Sequence, residues 1–134
     1  MCIRDRKLTV VNRYFDATPA VAFIQGFNFK SGAIASCVGH DSHNIIAVGT
    51  DDEQLAQAVN LIIDHKGGIA AVQNGQTMVL PLPVAGIMTN VDGKETAKAY
   101  ALVDEFVKKE MGCGLTAPFT VSYTHLTLPT ILLV

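Results

Sequence analysis

Charged residues are scarce in this chain. Asp, Glu, Lys and Arg fill only 16% of its 134 positions, against 49% hydrophobic residues. The formal charge is −2, and no basic patch with interleaved aromatics occurs, so nucleic-acid binding has no electrostatic footing. No apolar run is long enough to cross a bilayer. Met1 to Arg6 is charged and leads into no apolar segment, so no signal peptide is expected. The three cysteines, Cys2, Cys37 and Cys113, have neither a CxxC nor a metal-ligand spacing. A sparse, uneven count fits a reducing cytoplasm better than a disulfide scaffold. Cys37 lies in an apolar run and reads as a small buried hydrophobe. Gly67-Gly68 has neither the spacing nor the following Lys-Ser/Thr of a phosphate loop. Ser31 and Ser36 sit in nothing like a nucleophile elbow. Repeats and low-complexity segments are absent as well. Asp51-Asp52 and Asp104-Glu105, the paired carboxylates, read as surface charge.

The two ends share a signature. MCIRD at residues 1–5 can be encoded by ATG TGT ATA AGA GAC. The reverse complement of that stretch encodes VSYTH, which is found at residues 121–125. One short DNA element in opposite orientations therefore accounts for both ends, as a sequencing adapter would. Residues 1–6 and 121–134 are accordingly set apart as adapter-derived, leaving residues 7–120 as one domain. On that reading Cys2 and His125 carry no function, and the apolar tail at residues 131–134 is no membrane signal.

Within residues 7–120 the hydrophobic pattern predicts strands at 7–14, 20–27, 32–38 and 45–48, the last two apolar enough to be central. A helix follows from Thr50, with Thr50 and Glu53 as a capping box and Leu55, Ala58, Val59 and Ile62 as its buried stripe. Gly67-Gly68 ends it, and His65 falls in the last turn, where the helix dipole favours a proton. Residues 69–73 and 76–80 flank Asn74-Gly75, a tight-turn dipeptide, and so predict a hairpin. A second helix starts at Asp92, with Glu95 three residues on and Leu102, Val103, Phe106 and Val107 as its apolar face. Strands, helix, hairpin, helix suggest an α+β fold: a mixed β-sheet with helices packed on one face, a two-layer sandwich.

The densest polar cluster is His40, Asp41, Ser42, His43 and Asn44, placed between two apolar strands. Loops held by rigid strands are where binding and catalysis concentrate. Two histidines without a third ligand nearby are a weak metal signal. The same pair can hydrogen-bond the loop, meet a ligand or border a metal site of a neighbouring domain. Asp41 is suited to fixing a histidine tautomer. Lys30 beside Ser31 can hold an anion or be a solvated lysine. Arg13, at a polar strand end, is a candidate partner for an acid of another domain.

The blocks VNRY, GFNFKSGAIAS, HDSHNIIAVGT, LPLPVAGIM and GLTAPF, in that order over residues 7–119, resemble the carboxy-terminal domain of bacterial adenine deaminase. The resemblance implies a cytoplasmic amidohydrolase of adenine catabolism and purine salvage, in which a metal-bearing barrel precedes this domain. Such an enzyme converts adenine and water to hypoxanthine and ammonia through attack of metal-activated hydroxide. The implied cofactor is a divalent metal, manganese or iron, held by the barrel; no metal ligand is assigned to this chain. The barrel's HxH ligands are missing here, so the chain alone is expected to be inactive. His40, Asp41 and His43 become candidate catalytic residues that close the purine pocket or support it. Lys30, Ser31, Ser42 and Asn44 become candidate substrate contacts. The implied partners are adenine, the barrel of the same polypeptide and, in some assemblies, further copies of the protein. Two rival classes stand beside this one: a non-catalytic module that binds a small heterocycle, and a structural or oligomerisation domain.

Overall fold

A computed structural model describes residues 6–39 and 42–120. Six strands form one sheet: β1 (Arg6–Val11), β2 (Ala20–Ile24), β3 (Ala33–Ser36), β4 (Ile45–Gly49), β5 (Gly68–Gln73) and β6 (Gln76–Pro81). Their spatial order is β2-β1-β4-β3-β5-β6. Helix α1 (Asp52–Asp64) joins β4 to β5, and α2 (Gly93–Lys109) follows β6. The class is α+β, as the order of elements suggests.

Two details of that expectation are corrected. Every neighbouring pair of strands is antiparallel, so the sheet is not mixed. The helices also lie on opposite faces. Ala33, Ala35, Ala47, Ala70 and Val72 pack with Leu55, Ala58, Val59 and Ile62 of α1. Ile34, Ile46, Val48, Ile69 and Ala71 pack with Val103 and Val107 of α2. The physical reason is period-two alternation in strands that are apolar on both sides. In β3 and β4 the alanines point toward α1 and the larger Ile34, Ile46 and Val48 toward α2. A sheet apolar on both faces needs cover on both, and one helix layer leaves half of that surface in water.

The connection from β2 to β3 must pass over β1 and β4. Residues 25–32 make the crossing on the α2 side and bury Phe27 and Phe29 completely. Their rings lie 5.3 Å apart in a tilted arrangement, within the range where aromatic pairs attract.

The buried stripe of α1 is the one its spacing predicts. Its cap differs. Asp51, not Thr50, is the N-cap, and its carboxylate accepts from Gln54 N at 2.9 Å. Thr50 is diverted to the residue just before β3, where its Oγ1 accepts from Gly32 N at 3.1 Å. The Gln54 amide holds the Asp51 carboxyl below its ordinary value. A depressed carboxylate stabilises the fold above its unfolded pKa, and that contribution is lost as pH falls through the folded value. Asp51→Ala should therefore cost about 1 kcal/mol at neutral pH. In urea melts the gap between variant and parent should close in acid; a gap that persists there would refute the assignment.

The hairpin turns at Asn74-Gly75, both with positive φ, as a tight two-residue loop requires. In α2, Asp92 caps by accepting from Lys94 N, and Val103 and Val107 are buried while Phe106 is partly so. Leu102 is 58% exposed and is not part of the buried face. Among the described residues, no helix is long and apolar enough to cross a membrane.

Candidate functional site

Strand direction decides which loops meet. β1, β3 and β6 finish, and β2, β4 and β5 begin, at the same end of the sheet. The β1–β2 loop, the β3–β4 loop, the turn after α1 and the segment after β6 therefore gather there.

Arg13 ties these loops together. Its Nη2 donates to Ala85 O at 2.6 Å and its Nη1 to His43 O at 3.4 Å. Its backbone N–H donates to Asn44 Oδ1 at 3.4 Å. The guanidinium lies 5.4 Å from the Tyr14 ring centre, a cation–π arrangement. The Tyr14 hydroxyl donates to Ser42 O at 2.7 Å. Cys37 completes the floor: its Sγ donates to Gly86 O at 2.8 Å and accepts from Gly68 N at 3.1 Å. A cavity of about 390 Å³ opens among Asn12, Arg13, Cys37, Ile45, Ile62 and Lys66.

His43 stands out within this cluster. Its backbone has φ +57, an uncommon conformation for a residue with a side chain. Its Nδ1 is shielded from solvent and has no hydrogen-bond partner among the described residues. Shielded ring nitrogens are normally paired, and the cost of leaving one unpaired is about 1–3 kcal/mol. Strain and an unmet polar atom at one residue point toward function more than toward stability.

The residues singled out from the sequence separate into two places. Ser42, His43 and Asn44 lie in the Arg13 cluster, Ser42 exposed and the other two half-buried. His40 and Asp41 lie outside the described residues. Lys30 and Ser31 are at the opposite end of the sheet. Ser31 Oγ accepts from Gln73 Nε2 at 3.1 Å and from Asn74 Nδ2 at 3.3 Å, which pins the β5–β6 hairpin. Lys30 N donates to Met111 O at 3.0 Å, and its stem passes over Gly112. The two groups are roughly 15 Å apart along β3 and β4, so they do not form one pocket. His65 Nδ1 lies 2.8 Å from Leu61 O, at the C-terminus of α1, in a capping position.

Arg13, a candidate partner for an acid of another domain, bonds two backbone carbonyls within this chain. The signal for this was faint: Ala85-Gly86, following two prolines, marks a turn whose carbonyls are free to accept. Among the described residues, no three His, Cys, Asp or Glu side chains come together as a metal site. The described residues thus do not by themselves make a divalent-metal site, and no step at a metal is assigned to them.

Comparison with known proteins places this arrangement. The chain is 54% identical to an adenine deaminase of Sulfurovum sp. (strain NBC37-1) over 121 residues, 90% of this chain and 23% of that protein. It is 48% identical to an adenine deaminase of Salinibacter ruber over 122 residues, 90% of this chain and 22% of that protein. An adenine deaminase of Methanosphaera stadtmanae is 45% identical over 125 residues, 93% of this chain and 23% of that protein. The chain thus spans less than a quarter of the length of the curated relatives it matches. The family profile described as the adenine deaminase C-terminal domain matches residues 5–132, which includes most of the C-terminal end set apart above. On these matches the chain belongs to the adenine deaminase C-terminal domain family.

Proposed function

We propose that this chain is the C-terminal module of a cytoplasmic enzyme that hydrolyses adenine to hypoxanthine and ammonia, and that its Arg13–His43 end borders the purine site. The observation that carries this is His43: strained, shielded, and with an Nδ1 unmet among the described residues, in the loop that Arg13 holds. A purine offers ring nitrogens and an exocyclic amine, so it can meet an imidazole as donor or acceptor. In this reading Arg13 and Tyr14 fix the backbone of residues 42–44. His43 and the neighbouring His40 and Asp41 then contact or orient the base. Asn44 supports the loop through Arg13 N rather than reaching substrate with its Oδ1. Lys30 and Ser31 are too far away to share that role.

The metal, manganese or iron, belongs in this proposal to the polypeptide that precedes the module. When bound it supplies the activated water. This chain supplies walls and orientation, and by itself it is inactive. The sparse, free cysteines are compatible with a reducing compartment. Adapter-derived ends at residues 1–6 and 121–134 belong to the same reading, on the strength of the shared element in opposite orientations.

The test is His43→Ala in the full-length protein. Turnover of adenine should fall at least tenfold, about 1.4 kcal/mol of transition-state stabilisation. Unfolding free energy should fall by no more than about 1 kcal/mol, because the replaced nitrogen has no partner to lose among the described residues. Unchanged turnover would sink the purine-site reading.

A further inference from the structure

The face of the sheet that α1 covers is covered only in part. Helix α1 lies over β3, β4 and β5. On the same face, the outer strands β1 and β2 present Lys7, Thr9 and Val11, and Val21 and Phe23, by strand alternation and register. Val21 is 60% exposed, Phe23 59% and, beside them on α1, Ile63 52%. A groove of about 460 Å³ runs between helix and hairpin, lined by Val11, Pro19, Val21, Leu55, Val59 and Ile63. One end is closed by an ion pair between Lys7 and Asp52. On the other face of the same hairpin Leu8 and Ile24 are buried with Phe27 and Phe29, and what stays exposed there is the small Ala20 and Ala22. The large apolar side chains that this hairpin leaves bare, Val21 and Phe23, are thus on one side of it. β2 is also the sheet's edge, where unpaired strands normally carry charge or cover.

We infer that this groove is the seat of the polypeptide that precedes the module in the full-length protein, which inserts apolar side chains between α1 and β2. Three observations select that occupant. The matched relatives carry more than three quarters of their length outside the matched stretch, and a C-terminal domain receives that length from its N-terminal side. β1 is the first described strand of the module, and Lys7 near its start already lines the groove. Ile63 lines both the groove and the cavity beside Arg13. One body resting in the groove would therefore also reach the Arg13–His43 end. The inference rests on the extra length of the relatives and not on deamination, so a failed His43 test leaves it standing.

Oxidative footprinting of the full-length protein reads the groove directly. Side chains 21 and 23 should be at least tenfold less reactive than their exposure in the module alone dictates; full reactivity there overturns the inference. Val21→Glu with Phe23→Glu in the same protein should split one thermal transition into two. The double variant should also speed proteolytic release of the module at least tenfold. Thr77→Glu on the far edge strand should do neither. A double variant that melts and is cleaved like the parent overturns the inference. So does a 134-residue chain that forms dimers which the double variant abolishes, because the occupant is then a second copy.

Discussion

Phe29→Ala should lower the unfolding free energy of the chain by about 3–5 kcal/mol, the range for truncating a fully buried aromatic. Phe29 has no exposed surface and stacks on Phe27 within the crossing segment. Lys30 N in the same segment donates to Met111 O, so the crossing is held at the backbone as well. Residues 25–32 have no regular structure. They nevertheless replace a second helix over β1 and β4, because α2 lies toward β5 and β6. A domain of this size has about 5–15 kcal/mol in total, so the variant should lose a large share of its stability. Equilibrium urea denaturation of the chain is the measurement. A loss under about 1 kcal/mol would mean that the crossing merely decorates the sheet.

Gly67→Ala should cost about as much by a different route. Gly67 has φ +124, and a Cβ there would sit 2.3 Å from Gly86 Cα and 2.7 Å from Gly86 O. Those are backbone atoms with no side-chain freedom to yield. The Gly86 turn is itself tied to its surroundings, its carbonyl accepting from Cys37 Sγ and the neighbouring Ala85 carbonyl from Arg13. Backbone strain of about 1–3 kcal/mol adds to an overpacking cost of similar size. The displaced turn would pull Ala85 O from Arg13 and Gly86 O from Cys37, so the Arg13 cluster should loosen with it. Gly93→Ala is the control: it meets nothing in the first turn of α2 and should be neutral or slightly stabilising. Equal denaturation midpoints for Gly67→Ala and Gly93→Ala would contradict the close packing of the two turns.

The elements governed by local chemistry were legible without coordinates. The stripe Leu55, Ala58, Val59 and Ile62, the Asn74-Gly75 turn and the Asp92 cap each need only neighbours within a few residues. The sidedness of the helices was not legible. Gly32 to Val38 and Ile45 to Val48 read as continuous apolar runs, and the distinction between an alanine face and an isoleucine face is a matter of size, not polarity. Strand order depends on pairing between residues far apart in the chain, such as Lys7 with Gly49. The candidate site was half legible for the same reason. The polar density at residues 40–44 marks the loop, but only the antiparallel return of β4 beside β1 brings Arg13 to it. That return also sends Lys30 and Ser31 to the far end.

Cys37 and Cys113 are both free and buried, and they belong to different halves of the molecule. Cys37 is packed under α1, with its sulfur bonded among the turns that Arg13 organises. Cys113 is packed in the layer of α2 and the phenylalanines, where burial pushes its thiol up. A thiol reacts only when solvent reaches it and it ionises. Each sulfur therefore keeps time for its own layer, one for openings of the polar end and the other for openings of the aromatic crossing. The sheet between them keeps the two records separate.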